Sequence, residues 1–116
     1  MDVIIQSLGF TAGETLENFT REKLQALKSG EIIRANVTFF LGPESNPENN
    51  YCEIRLEIPG NDLFVKRTGK YFETAVSECV ELLQANLKKE KEKRLERRQA
   101  DADIIQDAIN KAGNEE

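Results

Sequence analysis

The sequence contains no histidine. That absence removes the commonest general base, the commonest zinc ligand and every nucleophile that needs an imidazole partner. Cysteine is almost as scarce: Cys52 and Cys79 are the only two, too few for a disulfide framework or a structural zinc site. No apolar run approaches the ~20 residues that span a bilayer. The opening Met1-Asp2-Val3-Ile4-Ile5-Gln6 has neither a basic leader nor a long apolar stretch. The glycines form no phosphate-binding loop, and the acids lack the spacing of a metal loop. These exclusions point away from an enzyme, a metal or cofactor, a small-molecule substrate and a membrane. They point toward a cytoplasmic protein that works by binding.

What remains is 116 residues, 39% hydrophobic and 32% charged, enough for one core. The net charge of −5 is spread unevenly. Residues 1–87 hold 8 Lys/Arg against 13 Asp/Glu; residues 88–98 (KKEKEKRLERR) hold 7 against 3; residues 99–116 hold 1 against 5. So abrupt a change of sign marks a local electrostatic device.

Periodicity gives the elements. Asp2 to Ser7 is short and β-branched, as strands are. Thr11, with Glu14 three positions on, has the form of a capping box, and Leu16, Phe19, Leu24 and Leu27 recur at helical spacing up to a stop near Ser29-Gly30. Ile33, Ala35, Val37, Phe39 and Leu41 then alternate with polar residues, as do Cys52, Ile54, Leu56 and Ile58. Between these two strands the run Gly42 to Asn50 is a loop, and Pro59-Gly60-Asn61-Asp62 turns the chain into a last strand over Leu63–Thr68. A second helix starts near Gly69-Lys70 with the stripe Phe72, Ala75, Val76, Cys79, Val80, Leu83 and Leu87. The predicted fold is α+β, a two-layer β-α-β-β-β-α sandwich. Its four-stranded mixed sheet carries both helices on one face, and the other face meets water. Residues 1–98 form the domain, 88–98 being a basic helical extension; 99–116 is an acidic tail, mobile or weakly helical.

The cations Lys88, Lys89, Lys91, Lys93, Arg94, Arg97 and Arg98 are the strongest functional candidate. Lysine and arginine that neutralise phosphates release condensed counterions, which favours binding to nucleic acid. The same run also reads as a solvated helix end, with cations favouring the macrodipole and Glu90–Arg94 pairing four apart. Lys23 falls inside the apolar stripe of the first helix. It is either a snorkelling lysine or a fixed cation at a groove rim, with Arg21 and Lys28 on a neighbouring flank. Lys66, Arg67 and Lys70 are either edge-strand lysines or a second basic cluster. Phe40, Tyr51 and Tyr71 offer ring faces, but scattered aromatics ordinarily pack, and no strand has the aromatic pattern of an RNA-recognition sheet. A rival reading is a protein-interaction adaptor, using the acidic tail and its Ile104, Ile105 and Ile109.

Several segments occur here in the order seen in one family. They are the initial strand, Arg21-Glu22-Lys23-Leu24-Gln25-Ala26-Leu27, Ile32-Ile33-Arg34-Ala35-Asn36-Val37, Glu53 to Leu63 with its Pro59-Gly60 turn, and Phe72-Glu73-Thr74-Ala75-Val76 running into Leu87-Lys88-Lys89. Over about residues 1–95 the chain resembles the ribosome hibernation-promoting factors and ribosome-associated translation inhibitors, the sigma-54 modulation protein family. The resemblance implies a bacterial domain that docks on the small ribosomal subunit and its rRNA, where messenger and transfer RNA would lie, and blocks translation by occupancy. Lys23, Lys88, Lys89 and Lys91 match the family's basic positions, and Lys28 matches less securely. With Lys93 and Arg94 these make the expected RNA-binding set. Helix one is less basic than is usual in the family, and Glu90 stands where a neutral or basic residue is common. Long members add a dimerising domain that 18 residues after position 98 cannot encode. The expectation is a short form, monomeric when free.

Overall fold

A computed structural model describes residues 1–27 and 32–114, with side chains except those of Pro47, Arg94 and 96–114. The elements are β1 (Asp2–Leu8), α1 (Glu14–Gln25), β2 (Arg34–Phe40), a 3-10 turn (Pro47–Asn49), β3 (Asn50–Glu57), β4 (Leu63–Gly69) and α2 (Phe72–Asn114). The sheet order is β1-β2-β3-β4. β1 pairs in parallel with β2, which requires the α1 crossover, and β2, β3 and β4 form an antiparallel meander. This is the α+β fold expected.

Strand alternation sorts the sheet into a covered and an open face. In register across the sheet, Val3, Ala35, Leu56 and Leu63 make one covered row, and Ile5, Val37, Ile54 and Val65 the next. The members on β2, β3 and β4 are buried, and those on the edge strand β1 are half-buried. Phe39 and Cys52 sit in a third row, where the Phe39 ring meets Phe72 of α2 edge-on at 5.3 Å and the Cys79 thiol donates to the Cys52 carbonyl at 3.5 Å. Both cysteines are free and buried. The hydrogen bond to the Cys79 sulfur, followed by burial, pushes the Cys52 thiol far up from its ordinary value. It stays protonated and packs as a small hydrophobe.

Helix α1 departs from the pattern expected of it. Its N-cap is Gly13 rather than Thr11, and no side chain caps it. The first helical bond runs from the Glu17 N–H to the Gly13 carbonyl, because the chain is still turning inward at Ala12, which is buried. The helix closes at Gln25, and Leu27 N–H donates to the Leu24 carbonyl in a tightened last turn. The expected stop at Ser29-Gly30 lies outside the described residues. The buried stripe is Leu16, Thr20 and Leu24, so Thr20 occupies the place expected for Phe19. Its hydroxyl is satisfied by the Leu16 carbonyl at 2.8 Å, which allows a polar side chain to be buried without an orphaned group.

Other boundaries shift by a residue or two. Ile33 and Leu41 are exposed at the two ends of the β2 alternation, since backbone period alone does not mark where helical cover stops. β4 extends to Gly69, and α2 begins at Phe72, with Ala75 N–H bonded to the Tyr71 carbonyl. Phe72 and Val80 are half-buried members of its stripe. At the β3–β4 turn Gly60 has φ +86° after Pro59, the left-handed position that glycine tolerates.

Asn50 ties the long loop down. Its side-chain oxygen accepts from Gly42 N–H at 2.7 Å, and its amide donates to the Lys70 carbonyl at 3.0 Å. Asn50 is buried, so Asn50→Ala leaves two backbone groups short of a partner and should lower stability by about 1–3 kcal/mol. Urea unfolding monitored by circular dichroism measures this; an unchanged midpoint would contradict it.

The chain divides into two units, Met1–Asn86 and Leu87–Glu116, and α2 contributes to both. Helix is assigned through Asn114, including most of the stretch read as a mobile or weakly helical tail.

Candidate nucleic-acid interface

Burial along α2 follows the heptad-like stripe Ala75, Val76, Cys79, Leu83 and Leu87 and, among the described residues, ends there. Immediately after Leu87, Lys88, Lys89, Lys91 and Lys93 are all exposed. A helix places 88 beside 91 and 89 beside 93, with Cβ atoms about 5–6 Å apart. Like charges at that spacing repel, and one contact relieves them: Lys93 reaches Glu90 at 3.8 Å. Lys88, Lys89 and Lys91 have no ion pair among the described residues. Three ammonium groups are therefore presented within four residues, none of them in an ion pair among the described residues. Chemically this is a surface for polyanions.

The remaining expected residues fall as follows. Lys23 is exposed on α1, outside the buried stripe, with its ammonium 5.5 Å from the Phe19 ring centroid. It lies in the first unit and Lys88 to Lys93 in the second. Arg21 is held by a hydrogen bond from its guanidinium to the Val3 carbonyl at 3.3 Å. Lys28 and the side chain of Arg94 lie outside the described residues. Lys66 and Arg67 of the second basic cluster point to opposite sheet faces by strand alternation.

The open face gathers Phe40, Tyr51 and Lys66, which the sequence offers only as scattered side chains, and adds Phe64. Phe40 and Tyr51, a registered pair on β2 and β3, stack with centroids 4.8 Å apart and planes within 9°. The Lys66 ammonium sits 4.1 Å over the Tyr51 ring and 3.9 Å from Glu53. Phe64 on β4 is 55% exposed. It lines a shallow cleft of about 250 Å³ with Asn36, Thr38, Glu53 and Arg55. The separation of these aromatics in sequence concealed their shared face; strand register was the signal that could have joined them.

Among the described residues no cluster of His, Cys, Asp or Glu can hold a metal ion, and no helix is long and apolar enough to cross a membrane.

Comparison with known proteins identifies the family and the fold. The family model for Sigma 54 modulation protein / S30EA ribosomal protein matches residues 3–95. A ribosomal subunit interface protein from Coxiella burnetii superposes with a TM-score of 0.71 at 17% identity, covering 78% of this chain and 98% of that one. The N-terminal domain of Thermus thermophilus Protein Y gives 0.68 at 17% identity, covering 77% and 98%. No curated protein matches the sequence. With the matched segment spanning the whole β-α-β-β-β-α unit and the first turns of its basic helix segment, the chain belongs to the Sigma 54 modulation protein / S30EA ribosomal protein family, a family of non-enzymatic ribosome-binding factors.

Proposed function

We propose that this chain is a cytoplasmic translation inhibitor that enters the messenger and transfer RNA channel of the small ribosomal subunit as a monomer and blocks it by occupancy. The observation that carries this reading is the set of exposed lysines Lys88, Lys89 and Lys91, without ion pairs among the described residues, directly after Leu87, the last buried position of α2 among those residues. Lys23 adds a further exposed cation, and Lys93, Arg94 and Lys28 complete the proposed footprint. Contacts of this kind fix register on phosphates and carry little sequence information directly, so the shape of the RNA channel supplies the specificity.

Affinity that rests on phosphate neutralisation must weaken with salt. For about five neutralised phosphates, log affinity against log salt should fall with a slope of roughly −4 to −5, taking the duplex coefficient. Sedimentation of the protein with purified small subunits across a salt series reads that slope. A slope near zero would contradict an electrostatic footprint.

A further inference from the structure

The open sheet face has no role in the reading above, yet it carries aromatic rings, an unpaired cation and a cleft. Its charged side chains are mostly spent on one another: Arg34 lies 3.5 Å from Glu57, and Lys66 lies 3.9 Å from Glu53. Arg55 differs. It is exposed, stands in register between Asn36 and Phe64, and has no hydrogen bond or ion pair among the described residues. The guanidinium is thus available beside a ring that is more than half exposed.

We propose that this face binds unpaired nucleotides of single-stranded RNA, with one base against Phe64, a phosphate on Arg55 and a neighbouring base at the Phe40–Tyr51–Lys66 edge. The inference rests on the reading that the chain works on RNA, but it uses a separate set of residues. An exposed ring with a guanidinium beside it supplies the two parts a nucleotide needs, a stacking surface and an anion partner. The cleft adds an amide, a hydroxyl and a carboxylate from Asn36, Thr38 and Glu53, which can meet the exposed hydrogen-bonding edge of an unpaired base. Phe64 and the residue facing Tyr51, Thr68, are four positions apart on β4. At strand rise that is about 13 Å, a span of two or three nucleotides rather than one. Duplex RNA cannot offer bases to such a surface, because they remain stacked within the helix.

The test uses the full chain and a fluorescein-labelled ten-nucleotide unstructured RNA, read by anisotropy, beside a hairpin of the same composition. The unpaired probe should bind more tightly than the hairpin. Phe64→Ala should weaken it roughly five- to a hundred-fold, the range for loss of one base-stacking ring. Arg55→Glu should weaken it and flatten its salt dependence. Phe64 is exposed enough that its truncation should leave the melting curve in place, and Phe64→Leu keeps an apolar side chain while removing the ring. Equal affinity for probe and hairpin, or unchanged binding by both Phe64 variants, would overturn the proposal. So would a Phe64-dependent self-association in sedimentation velocity without RNA binding, which would give the face to a second copy of this chain. The triple variant Lys88→Glu/Lys89→Glu/Lys91→Glu separates the two readings. If it still binds small subunits, the helix footprint fails while the probe result stands.

Discussion

Replacing Lys88, Lys89 and Lys91 together by glutamate should abolish co-sedimentation with small ribosomal subunits and leave thermal unfolding of the α+β unit nearly unchanged. The change converts three positive charges into three negative ones, a swing of six at a surface that must approach phosphate. Losing three neutralised phosphates costs affinity at every salt concentration, and the added repulsion extends the loss. Stability should be spared because all three side chains are exposed and lie beyond Leu87, the last buried stripe residue among the described ones. Glutamate also forms helix about as well as lysine. Five consecutive glutamates over 88–92 repel one another, so the triple glutamine variant is the cleaner companion. It should bind more weakly than wild type but better than the triple glutamate. Small-subunit binding undiminished in both variants would remove the basic helix from the account.

Phe39→Ala should have the largest effect on stability. Phe39 is fully buried on β2, meets Phe72 edge-on, and Phe72 in turn stacks on Phe10 at 4.9 Å. Truncation removes the ring's transfer energy and leaves a cavity that the sheet backbone cannot collapse to fill, a cost of about 3–5 kcal/mol. Against a total of about 5–15 kcal/mol, that is enough to unfold a fraction of the protein at physiological temperature. Calorimetry should show a fall in Tm of roughly 15–25 °C, scaled from a domain of this size. Phe64→Ala, on the open face, should shift stability by only about 0.5 kcal/mol. Equal effects of the two substitutions would mean that the covered and open faces have been assigned wrongly.

The architecture was readable because the sheet has one dry side. Cys52, Ile54, Leu56 and Ile58 alternate without a break, and all four are buried; period two over seven residues has no helical interpretation. Cover is a tertiary property, and it was less readable. Ile33 and Leu41 obey the same alternation as Val37 yet are exposed, because the pattern does not state where helices stop shielding a strand. The start of α1 is hidden from the sequence for a related reason. Thr11 and Glu14 have the composition of a capping box, but Ala12 turns into the core and leaves Gly13 to begin the helix. Thr20 was missed as a core residue because its polarity hides a hydroxyl bonded to its own helix backbone.

The candidate site divides in the same way. The charge run after Leu87 is a local property of the sequence, so its position needed no structure. The open-face aromatics are a non-local property. Phe40 and Tyr51 become a stacked pair only once β2 and β3 take their register, and Lys66 joins them only through β4. Lys23 shows the intermediate case. Its place on a helix was clear, but its position outside the stripe depended on Thr20 replacing Phe19 in the buried row.

The central claim is exclusion of messenger and transfer RNA from the small subunit, and competition tests it most directly. Small subunits programmed with a short messenger and labelled transfer RNA are titrated with the protein, and retention of the label is read by filter binding. Stoichiometric release of transfer RNA is expected, with the triple glutamate variant releasing none. Simultaneous, saturating occupancy of the same subunits by both the protein and transfer RNA would contradict the account.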